Sequence, residues 1–174
     1  TGPYLPKRGD LIIGKVTSVG IGGWRIEIGW PFEANLSVKD ATSDFIPRGE
    51  RLGKYFETGD YVMAQIANVG GYKIIDLSMK GPGLRKLGPG RFIQVPAPKV
   101  PRIIGKQGSM IGMIKDSTGC KLSVGQNGII WLSGDDPKKE ILAMTAIDKI
   151  IDEGHISGLT DRIKEFLEKN KDGL

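Results

Sequence analysis

The sequence predicts a chain of two domains: an all-β barrel of five short strands, then an α/β domain of order βααββα with a C-terminal helix. Three observations carry this. The 174 residues suffice for one ordinary domain or two small ones with real cores. The 26 glycines and 10 prolines cut the chain into many short elements. After Met79 the pattern changes from strand alternation to strands mixed with amphipathic helices.

The barrel comes first. Leu11 to Val19 is β-rich, Trp24, Ile26 and Ile28 alternate with Arg25 and Glu27, and a short strand spans Glu33 to Leu36. Tyr61 to Val69 and Tyr72 to Leu77 form a second pair around Gly70 and Gly71. A polar insertion, Lys39 to Gly59, separates the third strand from the fourth, and Pro47 to Tyr55 within it can carry a turn of helix. Five short antiparallel strands with one long third-to-fourth connection match a closed barrel of the oligonucleotide-binding (OB) type. An SH3-like barrel shares this periodicity. The barrel is expected over residues 1–79.

Lys80 to Gly90, with four glycines and two prolines, reads as a linker over residues 80–90. A second domain is expected over 91–155, with a tail over 156–174. Its elements are a strand at Arg91 to Val95, a helical turn from Lys99 to Ile104, the segment Gly105-Lys106-Gln107-Gly108, and a helix from Ser109 to Ser117. Strands at Lys121 to Val124 and Ile129 to Leu132 follow. A long helix then begins at Pro137, capped by Asp136 with proline at the first helical position, and runs to Glu153. Ile141, Leu142, Met144, Ile147, Ile150 and Ile151 form its apolar face. Thr160 to Lys169 reads as a capped amphipathic helix through Ile163, Phe166 and Leu167.

Charge and composition narrow the function. Hydrophobic residues at 39% and charged residues at 26% fit a folded globular protein. No apolar run approaches the ~20 residues of a membrane span. Thr1 to Asp10 has no apolar signal region, so a cytoplasmic setting is expected. A single cysteine, Cys120, excludes an internal disulfide and a multi-cysteine zinc site, and the lone His155 removes most metal and triad chemistry. Carboxylates are scattered singly, and Asp135-Asp136 before Pro137 reads as a helix cap. Ser37, His155 and Cys120 show no nucleophile–base spacing. No catalytic residue, metal or cofactor is therefore expected.

The net charge of +5 is unevenly spread. Arg85, Lys86, Arg91, Lys99, Arg102, Lys106, Lys115 and Lys121 face a single acid, Asp116, over residues 85–121. Such a field suits a polyanion, although a solvated basic face has the same composition.

The order βααββα with a Gly-x-x-Gly turn between its first two helices resembles the KH domain, which clamps about four nucleotides of backbone at that turn. Gly105 and Gly108 allow close approach to phosphate, Lys106 adds charge, Gln107 completes the turn, and the helix start at Ser109 offers N–H donors. Lys99 and Arg102 lie in the same basic window. Ahead of it, Gly14 to Val19, Gly59 to Ile66 and Ile75 to Lys80 are similar to phrases of the S-one type RNA-binding barrel. Its usual Phe-Gly-aromatic stacking site is replaced around Gly22, Gly23 and Trp24, and its usual histidine falls on Ser37. Trp24, Trp30 and Phe32 are the substitute stacking candidates, with core packing the alternative for each.

One S-one barrel before one KH domain, with Val95 to Gly105, Gly125 to Trp131 and Gly158 to Ile163, closely resembles the archaeal exosome RNA-binding cap subunit with S-one and KH domains. The resemblance implies a noncatalytic subunit that binds single-stranded RNA and guides its 3′ end into a ring of phosphorolytic exosome subunits, with no membrane or DNA partner. It implies an interdomain structural role for Gly125, Asn127 and Gly128. The family's N-terminal ring-docking domain is expected to be missing ahead of Tyr4. Arg48, Arg51 and Lys54, in the insertion, are expected to guide RNA by charge. The competing reading is a translation or transcription factor of S-one/KH type that binds structured RNA outside a nuclease.

Overall fold

A computed structural model describes residues 4–29, 33–42, 46–47, 49–71 and 74–171. The chain forms two compact units, one of residues 1–88 together with 125–129, the other of residues 89–124 and 130–174.

The first unit is an OB-type barrel. Its strands are β1 (Leu11–Val19), β2 (Gly23–Glu27), β3 (Ala34–Ser37), β4 (Tyr61–Val69) and β5 (Ile75–Ser78). The sheet runs β1-β2-β3-β5-β4 and closes by pairing β1 with β4. β1 serves two neighbours: Leu11 to Lys15 pair with β4, and Lys15 to Val19 pair with β2. A register shift between Val16 and Ser18 supplies the bend that this double pairing requires. Gly14 sits at the crossing, where a β-carbon would lie 2.4 Å from Ile26 Cγ2 and 2.9 Å from the Glu27 carbonyl.

The seam between β3 and β5 is parallel, whereas the other strand pairings of the barrel are antiparallel. A closed ring with an odd number of strands cannot alternate direction at every seam, so an all-antiparallel five-strand barrel is ruled out by counting. The interior is filled by Ile12, Val16, Ile26, Ile28, Ile66 and Leu77, each 0–1% exposed. The alternation expected for β2 holds, since Trp24 and Ile26 are buried and Arg25 and Glu27 exposed. A short helix α1 (Val38–Ala41) follows β3, and a 3-10 turn at Leu52–Lys54 buries Leu52. Arg85 and Lys86 form a further strand, β6, on the free edge of β4, and Leu87 is buried beyond them.

The second unit has the order anticipated from sequence. Strands β7 (Arg91–Gln94), β8 (Lys121–Val124) and β9 (Ile129–Ser133) form a sheet in the order β7-β9-β8. The helices are α2 (Val100–Ile104), α3 (Ser109–Thr118), α4 (Pro137–Glu153) and α5 (Leu159–Lys169). Asp136 caps α4 by accepting a hydrogen bond from the Lys138 N–H, with Pro137 opening the helix. The core joins Val100, Ile103, Met110 and Ile114 of α2 and α3 to Leu142, Ala146, Ile147 and Ile150 of α4. Ile163 and Leu167 of α5, 0% exposed, complete it.

Candidate nucleic-acid interface

The turn between α2 and α3 is built from unusual backbone. α2 stops at Gly105, whose φ of 78° and ψ of 171° belong to a region that side chains essentially exclude. Gln107, at φ 55°, is the one non-glycine with positive φ among the described residues, and Gly108 follows at φ 77°. The loop is tied by Gly105 N–H to the Pro101 carbonyl at 2.9 Å and by Gly108 N–H to the Gly105 carbonyl at 3.1 Å. Ile103, Met110 and Ile114 on either side are almost fully buried, while Lys106 and Gln107 are exposed. An exposed cationic loop thus stands on two helices anchored in a core, the arrangement that positions a binding loop.

The two glycines differ in what a side chain would cost. A β-carbon at Gly105 would lie 2.6 Å from both the Cβ and the backbone N of Met110, whereas one at Gly108 meets nothing within 4 Å. Gly108→Ala is expected to cost roughly 1–2 kcal/mol of left-handed strain. Gly105→Ala adds the Met110 clash and should cost clearly more; equal urea midpoints for the two variants would show that the loop relaxes freely.

The neighbouring cations are not equivalent. Lys99 is half-buried on the 3-10 turn Ala97–Lys99 that leads into α2. Arg102 is exposed but lies over Gly154 at the end of α4, where a β-carbon would come within 2.9 Å of the Arg102 Cδ and 3.0 Å of its Nη1. A cation there complements the helix C-terminus, so Arg102 has a structural occupation as well as a charge. Arg91, also in the basic window, pairs with Glu140 at 3.1 Å. The Gly134 N–H, donating to Glu140 at 3.0 Å, and then Arg91 hold that carboxyl below the usual carboxylate range. Glu153 is likewise lowered by hydrogen bonds from Arg162 of α5 and then from Lys149. A carboxyl lowered in the folded state stabilises it above the unfolded pKa and loses that contribution as pH falls through the folded value. Acidification below pH ~4.5 should therefore lower the melting temperature of the wild type more than that of Glu153→Gln, read by circular dichroism at pH 7 and pH 4.

On the barrel, Trp24 is given to packing. It is 2% exposed, its Nε1 donates to the Phe56 carbonyl at 2.8 Å, and its ring meets that of Phe56 edge-on with centroids 5.0 Å apart. A base cannot stack on a face so covered. Where the S-one resemblance would put a stacking pair there is a hollow of about 250 Å³ lined by Gly20, Gly22, Gly23, Arg25, Asn35 and Ser37 among others. Trp30, Phe32 and Arg48 lie outside the described residues. Arg51 is exposed. Lys54 is ion-paired with Glu50, four residues earlier, and stands 5.5 Å from the Tyr55 ring centroid. That hydrogen bond pushes its ammonium pKa up and balances its charge locally.

The segment 125–129 acts on the barrel as a substitute strand. The Leu11 N–H donates to Gln126 Oε1 at 2.7 Å, and the Gln126 N–H returns to the Leu11 carbonyl at 2.7 Å. The Ile13 N–H donates to Asn127 Oδ1 at 3.3 Å, while Asn127 Nδ2 donates to the carbonyls of Ile13 at 2.8 Å and Ile28 at 2.9 Å. Asn127 is 5% exposed. Gly125 is needed for this approach, since a β-carbon there would lie 2.4 Å from Asn127 Oδ1 and 2.7 Å from the Ile13 N. Gln126 was not marked by the sequence, because an exposed glutamine in a turn carries no signal of its own.

Among the described residues, no group of three or more His, Cys, Asp or Glu side chains is placed to hold a metal ion, and no helix is long and apolar enough to cross a membrane. An OB-type barrel followed by a domain with an exposed Gly-x-x-Gly turn defines an RNA-binding protein of the OB-plus-KH class. Residues 91–149 match the KH domain family. The chain is 44% identical over 172 residues to exosome complex component Rrp4 of Picrophilus torridus, covering 99% of this chain and 74% of that protein. It is 44% identical over 170 residues to exosome complex component Rrp4 of Thermococcus kodakarensis, covering 95% and 66%. A crystal structure described as that of an exosome complex RNA-binding protein matches 97% of both chains, with TM-score 0.82 and 34% identity. The chain belongs to the family of archaeal exosome complex component Rrp4. It spans roughly two-thirds to three-quarters of these relatives' length.

Proposed function

We propose that this chain is the noncatalytic RNA-binding cap subunit of an archaeal exosome-like complex, and that it holds single-stranded RNA and guides it to a phosphorolytic ring for 3′-5′ degradation. The observation that carries the RNA contact is the Gly105–Gly108 turn, exposed, cationic and mounted on buried helices. Phosphates of the strand pass the turn, where the missing β-carbons permit close approach and Lys106 supplies charge. A single strand suits such a turn better than a duplex, because KH recognition takes about four nucleotides with their bases splayed from the stack. The names of the relatives support membership of an exosome complex. In this reading Gly125, Asn127 and Gly128 are architectural and take no part in RNA contact.

Binding without cleavage is the expected behaviour of the isolated chain. Metal-assisted hydrolysis needs clustered carboxylates, and phosphorolysis needs a phosphate pocket beside an acid. Labelled poly(A) incubated with the purified chain should stay intact with or without phosphate and Mg²⁺, and should decay faster or more processively when the phosphorolytic hexamer is added than with the hexamer alone. Cleavage by the chain alone, abolished by substituting Asp135 and Asp136, would overturn the assignment.

A further inference from the structure

One dipeptide combines high chemical reactivity with a closed setting. Of the four asparagines in the chain, Asn127 alone precedes a glycine. A backbone nitrogen with no β-carbon beside it attacks the preceding asparagine side chain with least hindrance, so Asn-Gly is the pair most open to deamidation in a loose chain. Here each requirement of that reaction is blocked. The Gly128 N–H is engaged by the Gly125 carbonyl at 2.9 Å, and the Gly125 N–H by the Ile129 carbonyl at 2.8 Å, which closes the turn. The Asn127 carboxamide is held on the barrel by its three hydrogen bonds to the Ile13 N–H and the carbonyls of Ile13 and Ile28. At 5% exposure it is also shut off from the hydroxide and water that deamidation needs. The two bonds between Gln126 and Leu11 pin the same segment one residue earlier.

We propose that Asn127-Gly128 is a latent self-modification site, closed while residues 125–129 lie on β1 and spent by deamidation when that segment leaves. Hydroxide removes the Gly128 amide proton, and the nitrogen attacks Asn127 Cγ. The new N–Cγ bond forms, the Cγ–Nδ2 bond breaks, and the departing nitrogen takes a proton from water to leave as ammonia, which regenerates hydroxide. One water molecule then opens the succinimide ring, at Cγ to give aspartate or at the main-chain carbonyl of residue 127 to give isoaspartate. Neither product refits. Aspartate presents a carboxylate to the Ile13 and Ile28 carbonyls, which had accepted from the amide. Isoaspartate routes the main chain through the side chain and lengthens it by a methylene, which carries the Gly128 N–H away from the Gly125 carbonyl. A local opening that would otherwise reverse becomes permanent, and the yield of product records how often the segment has left β1.

The test ages the full chain in mildly alkaline buffer, folded and in urea, and follows the tryptic peptide 122–138 by mass spectrometry. In urea Asn127 should convert clearly faster than Asn35 and Asn68, which precede Leu36 and Val69. In the folded chain its conversion should be about a hundredfold slower or more, since an opening that breaks the bonds to β1 is rarely populated. Gly125→Ala, whose β-carbon would lie 2.4 Å from Asn127 Oδ1 and 2.7 Å from the Ile13 N, should raise the rate in buffer about tenfold or more and leave the rate in urea unchanged. A second measurement needs no variant: in urea below the unfolding transition, wild-type conversion should rise while circular dichroism still reports a folded chain. Chain aged in urea and then refolded should contain a fraction of lowered melting temperature equal to the converted fraction. Equal rates in folded and unfolded chain, or conversion in urea no faster than at Asn35 and Asn68, overturn the proposal. So does a converted fraction that melts with the unconverted chain. Conversion that stays flat until the circular-dichroism transition assigns the protection to the whole fold and overturns it as well.

Discussion

Asn127→Asp should destabilise the barrel unit by about 3–5 kcal/mol at pH 7, the cost typical of a buried charge left without a counter-charge. The substitution preserves size and shape and replaces one group, the amide Nδ2 that donates to the carbonyls of Ile13 and Ile28. An ionised carboxylate at 5% exposure would face those two oxygens with no proton to offer. The protonated acid can donate to one of them, so the folded state raises the pKa of the introduced carboxyl. The penalty is therefore full above that raised pKa and shrinks as pH falls through it, which is the reverse of the behaviour of Glu140 and Glu153. Asn127→Ala leaves the Ile13 N–H and two carbonyls without this partner, at about 1–3 kcal/mol for each group that water cannot reach, and should show no comparable recovery at low pH. Urea unfolding of both variants at pH 7.5 and pH 5 checks the sign. An Asp variant as stable as wild type at pH 7.5 would mean that the side chain can leave its seat.

The largest expected effect on binding is at the turn. Lys106→Asp/Gln107→Asp should lower affinity for unstructured RNA by about 10–100-fold, since a charge-assisted hydrogen bond contributes about 1.5–3 kcal/mol and the variant also adds two negative charges beside phosphate. Gly105 and Gly108 are untouched, and both substituted side chains are exposed, so the core formed by Ile103, Met110 and Ile114 is not disturbed. Aspartate tolerates the left-handed backbone of Gln107 better than most residues do. Reversing Arg102 as well would confuse the result, because its side chain covers Gly154. Fluorescence anisotropy with a labelled oligoadenylate, alongside a melting curve, separates lost contact from lost structure. Undiminished affinity in a folded variant would move the RNA contact off the turn.

Much of this was legible beforehand, and the reasons are local. The alternation in β2, the Asp136–Pro137 start of α4 and the apolar face of α4 depend on period and capping, which short stretches of sequence contain. The Gly-x-x-Gly turn was legible because its glycines sit where the backbone turns positive. What escaped depends on pairs distant in sequence. Residues 80–90 look like a linker by composition, yet Arg85 and Lys86 add a strand to β4, since an exposed sheet edge accepts a short partner of almost any sequence. The burial of Trp24 is decided by Phe56, 32 residues away. The balance of Lys54 by Glu50 was readable from their spacing of four. Composition groups the insertion's cations, whereas the structure pairs Lys54 with Glu50.

The substitute strand formed by Gln126 and Asn127 bears on the order in which the barrel can be made. A ribosome emits β1 more than a hundred residues before the side chains that satisfy Leu11 and Ile13, as the separations of 115 and 114 in those hydrogen bonds record. Until that later stretch emerges, a nascent barrel carries an unsealed stretch of main chain along its first strand, open to pairing with another chain. Fragments that end at Gly88 inherit that defect permanently, so a domain boundary drawn at the end of the barrel's continuous sequence divides one cooperative structure rather than separating two.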